Sequence, residues 1–207
     1  MDDAQTPQQK AILTVGDRTA EFPVLHGTDG VPSIDVATLT RQTGFTALDY
    51  GFVNTASTKS AITYIDGDAG ILRYRGYPIE QLATHSTYLE VAWLLIYGEL
   101  PTADELAEFD NRIRRHTLLH EDLKRFFGSL PPTAHPMSVL SAATAALSTY
   151  YEDESDPHNP EHVEVNTIRL LAKLPVIAAY AHKKSIGQAF LYPDNSMSFV
   201  DNFLKLN

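Results

Sequence analysis

A mainly α fold with a small β-rich segment at its N-terminus is what this sequence predicts, and three observations carry that expectation. Stretches of alternating β-formers around tight turns fall within the first 75 residues, at Lys10–Val15 with Thr19–Leu25 and at Ile62–Asp66 with Ile71–Tyr74. From Pro78 onward, apolar residues recur at spacings of three and four, the period of a helix with one buried face. Thr102 stands three residues before Glu105, the spacing of a capping box.

The elements follow in order. Residues Met1–Gln9 are polar and hold a proline, and read as a loose arm. Gly16-Asp17 turns the first hairpin. Asp35 as a cap, with Val36, Leu39 and Thr43 at helical spacing, predicts a short helix ended by Gly44. Residues 44–60 are turn-rich and lead to the second hairpin, whose turn Gly67-Asp68-Ala69-Gly70 tolerates positive φ. Pro78 opens a helix where its missing N–H costs nothing. Tyr88–Gly98 is apolar nearly all round, which predicts a buried helix closed by Gly98. The capping box at Thr102 predicts a helix to about Thr117, and a short helix follows over Asp122–Phe127. Met137–Tyr151 sets Leu140, Ala143, Leu147 and Tyr151 on one stripe. After an acidic loop at Glu152–Pro160, Glu161–Lys184 reads as a long helix kinked or broken at Pro175. Ser198–Asn207 begins a last amphipathic helix whose Phe199, Phe203 and Leu206 are expected to lack a partner where the helical domain is incomplete, a pattern that favours association. The expected division is a β-rich segment over 1–75 and a helical domain over 76–207.

Composition narrows the function. With 207 residues, 43% of them hydrophobic, the chain can bury a globular core. It has no run of eighteen apolar residues and a polar, acidic N-terminus, so a cytoplasmic protein with no membrane partner is expected. Absence of cysteine excludes disulfides, thiolate catalysis and cysteine-based metal sites. A formal charge of −10 disfavours nonspecific binding to nucleic acid. There is no Gly-x-Ser-x-Gly elbow, no Gly-x-Gly-x-x-Gly run and no P-loop.

No metal site is expected from the histidines. His116 and His120 lie four apart, but the helix is predicted to end between them and no third ligand is evident, so they read as cations at a helix end. His158 and His162 flank Pro160 in the acidic loop and read as surface residues, while His135, before Pro136, reads as a buried helix-entrance residue. The cations are more informative. Arg112 and Arg114 have Glu108 and Asp110 four residues earlier, whereas Arg115, His116, Arg169 and Lys173 have no such partner. Unpaired cations on one helix face are candidates for binding an anion, and carboxylates elsewhere in the fold or in another subunit are the competing partners.

The run from Ile62 to Leu82, with its Ile-Asp-Gly-Asp-Ala-Gly-Ile-Leu-Arg-Tyr-Arg-Gly-Tyr-Pro-Ile core, resembles the hairpin that introduces the large helical domain of citrate synthases, of the bacterial type with an N-terminal β segment. Tyr88–Pro101, Arg115-His116-Thr117, Ala134–Met137, Arg169–Pro175, Ser185–Gln188 and Tyr192–Asn195 extend the resemblance, in order, over nearly the whole chain. It implies an acyltransferase of the tricarboxylic acid cycle that condenses acetyl-CoA with oxaloacetate to citrate and CoA. It also implies a homo-oligomer, dimer or hexamer, and no cofactor beyond NADH as an allosteric effector. At that effector site the resemblance places Arg115, His116, Tyr151, Arg169 and Lys173.

The chain departs from the family pattern in one respect. Members carry catalytic histidines in His-Ala-Asp-His-Glu and His-Gly-Gly type segments and a later aspartate. None of His26, His85, His116, His120, His135, His158, His162 and His182 has those neighbours. No catalytic residue is therefore assigned, and the expectation is an N-terminal portion with an incomplete helical domain, inactive alone. A noncatalytic module that binds NADH or pairs with full-length subunits, and an inert remnant, remain as alternatives.

Overall fold

A computed structural model describes residues 9–207. Eight α-helices and six short strands make up those residues, and the fold is mainly α. The expected arm at the N-terminus lies outside the described residues apart from Gln9, whose carbonyl accepts a hydrogen bond from the Val24 N–H. The chain divides into two compact units, 1–100 and 101–207. The boundary expected at residue 75 falls inside the first of these.

The first unit holds two three-stranded antiparallel sheets, each a simple meander. Strands β1 (Lys10–Val15) and β2 (Arg18–Leu25) pair through the Gly16-Asp17 turn, and β3 (Ser33–Ile34) adds to β2. Helix α1 (Leu39–Thr43) seats Leu39 against Ala20 and Phe22 to form a small core. It starts later than the sequence suggests. The Asp35 carboxylate accepts from the Ala37 N–H in a local turn, so Asp35 stops the chain before the helix and does not cap it. Gly44 ends α1 at φ 80°, and a Cβ there would meet the Arg18 guanidinium, which donates to the Thr43 carbonyl at 2.6 Å.

The second sheet places β4 (Thr63–Asp66) against β5 (Ile71–Tyr74), as the hairpin spacing suggested, and β6 (Tyr77–Pro78) on the other edge of β5. Arg75 and Gly76, at φ 51° and 89°, form the two-residue turn between β5 and β6. Helix α2 (Ile79–His85) begins directly after Pro78. Helix α3 (Tyr88–Tyr97) has the full capping box of Thr87 and Glu90, and Gly98 closes it at φ 99°. Its burial is one-sided. Leu89 and Leu94 are buried while Tyr88, Ile96 and Tyr97 are exposed, because an apolar helix is covered only where another element meets it.

In the second unit, α4 (Ala103–Arg115) starts at the Thr102–Glu105 capping box, α5 (Glu121–Ser129) follows, then α6 (Pro136–Ser148), α7 (Pro160–Ser185) and α8 (Phe199–Leu206). The 26-residue α7 is the axis, touching α4, α5, α6 and α8. It runs unbroken through Pro175; the burial of Ala172, Val176, Ile177 and Ala179 around it offsets the one missing backbone bond. Phe127 and Tyr180 meet edge to face at 5.9 Å, and the Phe190 ring stacks on Tyr180 at 4.5 Å.

Two further expectations change. His135 is exposed, because as the N-cap of α6 its Nδ1 accepts from the Met137 N–H at the surface. Leu206 is buried and has found its partners within the unit; Val200, Phe203 and Leu204 form the exposed face of α8. A polar clasp holds that helix. The Asn202 amide and the Asp194 backbone exchange two hydrogen bonds, at 3.1 and 3.2 Å, and Lys205 pairs with the Asp194 carboxylate at 3.0 Å. Among the described residues no helix is long and apolar enough to cross a membrane.

Candidate anion-binding site

The site begins with the register of α7. Four residues apart, Arg169 and Lys173 lie one above the other on the same face, as the period of 3.6 requires. Opposite them the chain leaves α6 in a tightening turn, in which the N–H groups of Thr149, Tyr150 and Tyr151 donate to the carbonyls of Ala146, Leu147 and Ser148. That turn delivers the Tyr151 ring to both cations. The Arg169 guanidinium lies 4.1 Å from the ring centroid and the Lys173 ammonium 5.8 Å, both within cation–π range. His120 stacks on the neighbouring Tyr150 ring at 4.6 Å and caps α5 by accepting from the Asp122 N–H, so the four-residue spacing from His116 spans a helix break.

The two cations have different partners. Arg169 forms an ion pair with the Glu154 carboxylate and donates to the Asn166 side-chain oxygen at 3.3 Å. The Asn166 amide donates to the Glu154 carbonyl at 2.5 Å, which holds the short 3₁₀ turn Glu152–Glu154 against α7. Lys173 is 3% exposed, yet its ammonium donates to a neutral acceptor, the Leu118 carbonyl. Among the described residues no carboxylate stands within ion-pairing distance of it. Burial, and then the adjacent Arg169 charge, pull its pKa down to about 8.

The remaining predicted residues sit at the end of α4. The His116 ring Nδ1 lies 2.7 Å from the Arg112 carbonyl, so that nitrogen carries the proton and Nε2 is left for another donor. Arg115 is exposed and donates to the Asn111 side chain at 3.2 Å, one turn back on its own helix. Arg112 reaches Glu164 on α7 at 2.5 Å, and Arg114 pairs with Asp110 as its spacing suggested. The structure thus joins Tyr151, Arg169 and Lys173 directly. It brings the loop after His116 to Lys173 through Leu118, and it leaves Arg115 on the outer face of α4.

Sequence reading missed Glu154, Asn166 and the Leu118 carbonyl. Only the acidic run Glu152-Asp153-Glu154 hinted that a carboxylate was available to Arg169. A cavity under α8, lined by Ile113, Arg114, Ala172, Met197 and Asn202, holds about 20 Å³, room for one water molecule and not for a nucleotide. The cation cluster is therefore the chemically distinctive place in this unit. It presents two positive groups on the half-buried ring of Tyr151, an arrangement suited to an anion.

Comparison with known proteins identifies the fold that carries this cluster. Residues 51–207 match the family described as citrate synthase, C-terminal domain. The chain is 62% identical over 186 residues to citrate synthase 1 of Mycobacterium tuberculosis, a match covering 90% of this chain and 43% of that protein. It is 46% identical over 201 residues to the citrate synthase of Corynebacterium glutamicum, covering 97% and 46% of the two chains. Among solved structures, citrate synthase from Pyrobaculum aerophilum superposes with a TM-score of 0.67 at 30% identity, over 100% of this chain and 46% of that one. The chain belongs to the citrate synthase family. It spans less than half the length of the curated relatives it matches.

Proposed function

We propose that this chain serves a citrate synthase, the acyltransferase that condenses acetyl-CoA with oxaloacetate to citrate and CoA, and that its own site is a regulatory one that binds NADH. The observation that supports the regulatory reading is Lys173: a lysine 3% exposed, its ammonium with a carbonyl and a ring for company, gains a charged partner if a phosphate enters. Arg169 would hold the same diphosphate, Tyr151 would lie beneath it, and His116 and Arg115 would meet it from the end of α4. The complete enzyme acts in the cytoplasm as a homo-oligomer, dimer or hexamer, and takes acetyl-CoA and oxaloacetate as substrates.

Condensation needs a carboxylate to take a proton from the acetyl methyl group and a donor to hold the developing enolate. The chain has no His-Ala-Asp-His-Glu or His-Gly-Gly segment to supply them. Its 207 residues alone should release no CoA thiol from acetyl-CoA and oxaloacetate; turnover by protein freed of host enzyme would overturn that part of the reading.

The regulatory part is tested by isothermal titration of NADH into the chain and into a double variant, Arg169→Ala with Lys173→Ala. Charge-assisted contacts to phosphate are worth about 1.5–3 kcal/mol each, so the variant should bind at least roughly tenfold more weakly. Equal affinity would assign these cations to packing alone.

A further inference from the structure

The ion pair between Arg169 and Glu154 places an internal carboxylate where an incoming anion would have to bind. The two partners are unequally held. The Arg169 side chain is 13% exposed and fixed between the Tyr151 ring and the Asn166 amide oxygen, whereas the Glu154 side chain is 44% exposed on a three-residue turn. The carboxylate can swing into water and be solvated there; the guanidinium cannot follow it without leaving its aromatic floor.

Charge balance points the same way. Arg169 and Lys173 together carry +2, and with Glu154 in place the cluster carries +1, too little for a diphosphate. When Glu154 leaves, the Arg169 guanidinium loses its carboxylate partner and faces the ligand with its full charge, with Lys173 one turn further along α7. Glu152 and Asp153 on the same turn add negative charge beside the opening, so the turn opposes any anion until Glu154 is displaced.

We propose that Glu154 is a built-in competitor for the anion site, occupying Arg169 in the unliganded protein and setting the affinity with which a phosphate-bearing ligand displaces it. The inference rests on the nucleotide reading above. It makes Glu154 an affinity-setting residue that lowers binding, the reverse of what a supporting contact would do.

The test compares the 207-residue chain with Glu154→Gln and Glu154→Ser, titrated separately with NADH and with inorganic pyrophosphate, after thermal melts confirm that each variant is folded. Glutamine keeps the shape and loses the charge; serine also removes the amide that could still accept from Arg169. Both variants should bind at least about fivefold more tightly than the parent, since a charge-assisted pair no longer has to be broken. Tightening with NADH supports the inference with a nucleotide as the ligand. Tightening with pyrophosphate alone supports it with an inorganic anion and overturns the nucleotide reading. If the parent binds a probe and the variants bind it no better, Glu154 is a structural partner of Arg169 and the inference falls while the site stands. If no chain binds either probe, both fall. Should one variant unfold, the other decides.

Discussion

The two compact units treat their apolar residues differently. In residues 101–207 every helix from α4 to α8 leans on α7, and Phe127, Ala143 and Ile177 are wholly buried. In residues 1–100 burial is patchier: Ala20, Phe22 and Leu39 close one small core and Leu82, Leu89 and Leu94 are buried on α2 and α3, while Leu48, Tyr50, Phe52 and Val53 stand 70–83% exposed. A central helix can be covered all round by its neighbours. A three-stranded meander has two faces, and one short helix covers only part of one of them. Stability in this chain is therefore concentrated where helices surround a helix, and the cation cluster is built on that firm support.

The comparison is challenged hardest at Phe127. Phe127→Ala removes a side chain with no solvent exposure from the centre of the helical unit, and should cost about 3–5 kcal/mol in urea unfolding followed by circular dichroism. Phe52→Ala, at a residue 70% exposed, should stay within about 0.5 kcal/mol. Comparable losses at the two positions would show that burial does not divide the units as described.

Lys173 sharpens the picture at a second level, because its burial works against the unit that holds it. In the unfolded chain it keeps the ordinary value of 10.5; in the folded protein it titrates at about 8. Between those two values the unfolded state holds the extra proton, so folding stability rises with pH, and below the lower value the full penalty for the buried charge applies. At about 1.4 kcal/mol per unit, the effect is on the order of 3 kcal/mol. Lys173→Met should stabilise the chain at neutral pH and remove the alkaline slope, as measured by denaturation midpoints across the range. A slope that survives the substitution would place its origin in another group.

The smallest expected effect lies at the clasp of α8. The Ser196 and Lys205 side chains, with the Ser196 N–H, hold the Asp194 carboxyl down to about 2. That contribution is fully present above the ordinary carboxylate value of 3.8 and is lost as pH falls toward the depressed one. Amide exchange in α8 should accelerate in that acid window before exchange in α7 does, and Asp194→Asn should abolish the acid-dependent part. Simultaneous loosening of both helices would argue against a local clasp.

Local chemistry was readable from the chain. The Thr102–Glu105 box, the Gly16-Asp17 turn and the Gly98 stop each act over two to four residues, so spacing alone located the elements they bound. The same register put Arg169 and Lys173 on one face of α7. The family, too, was legible from the ordered segments that resemble citrate synthases. Tertiary structure alone decided which cation has a counter-charge. Glu154 reaches Arg169 from a different turn, and the Leu118 carbonyl reaches Lys173 across 55 residues of sequence. It also decided that α3 is covered on one side and that Leu206 is buried while Phe203 is not. Capping and helical register are set by neighbours in the chain, whereas burial and ion pairing depend on which distant surfaces the fold brings together, and no spacing in a single sequence records that.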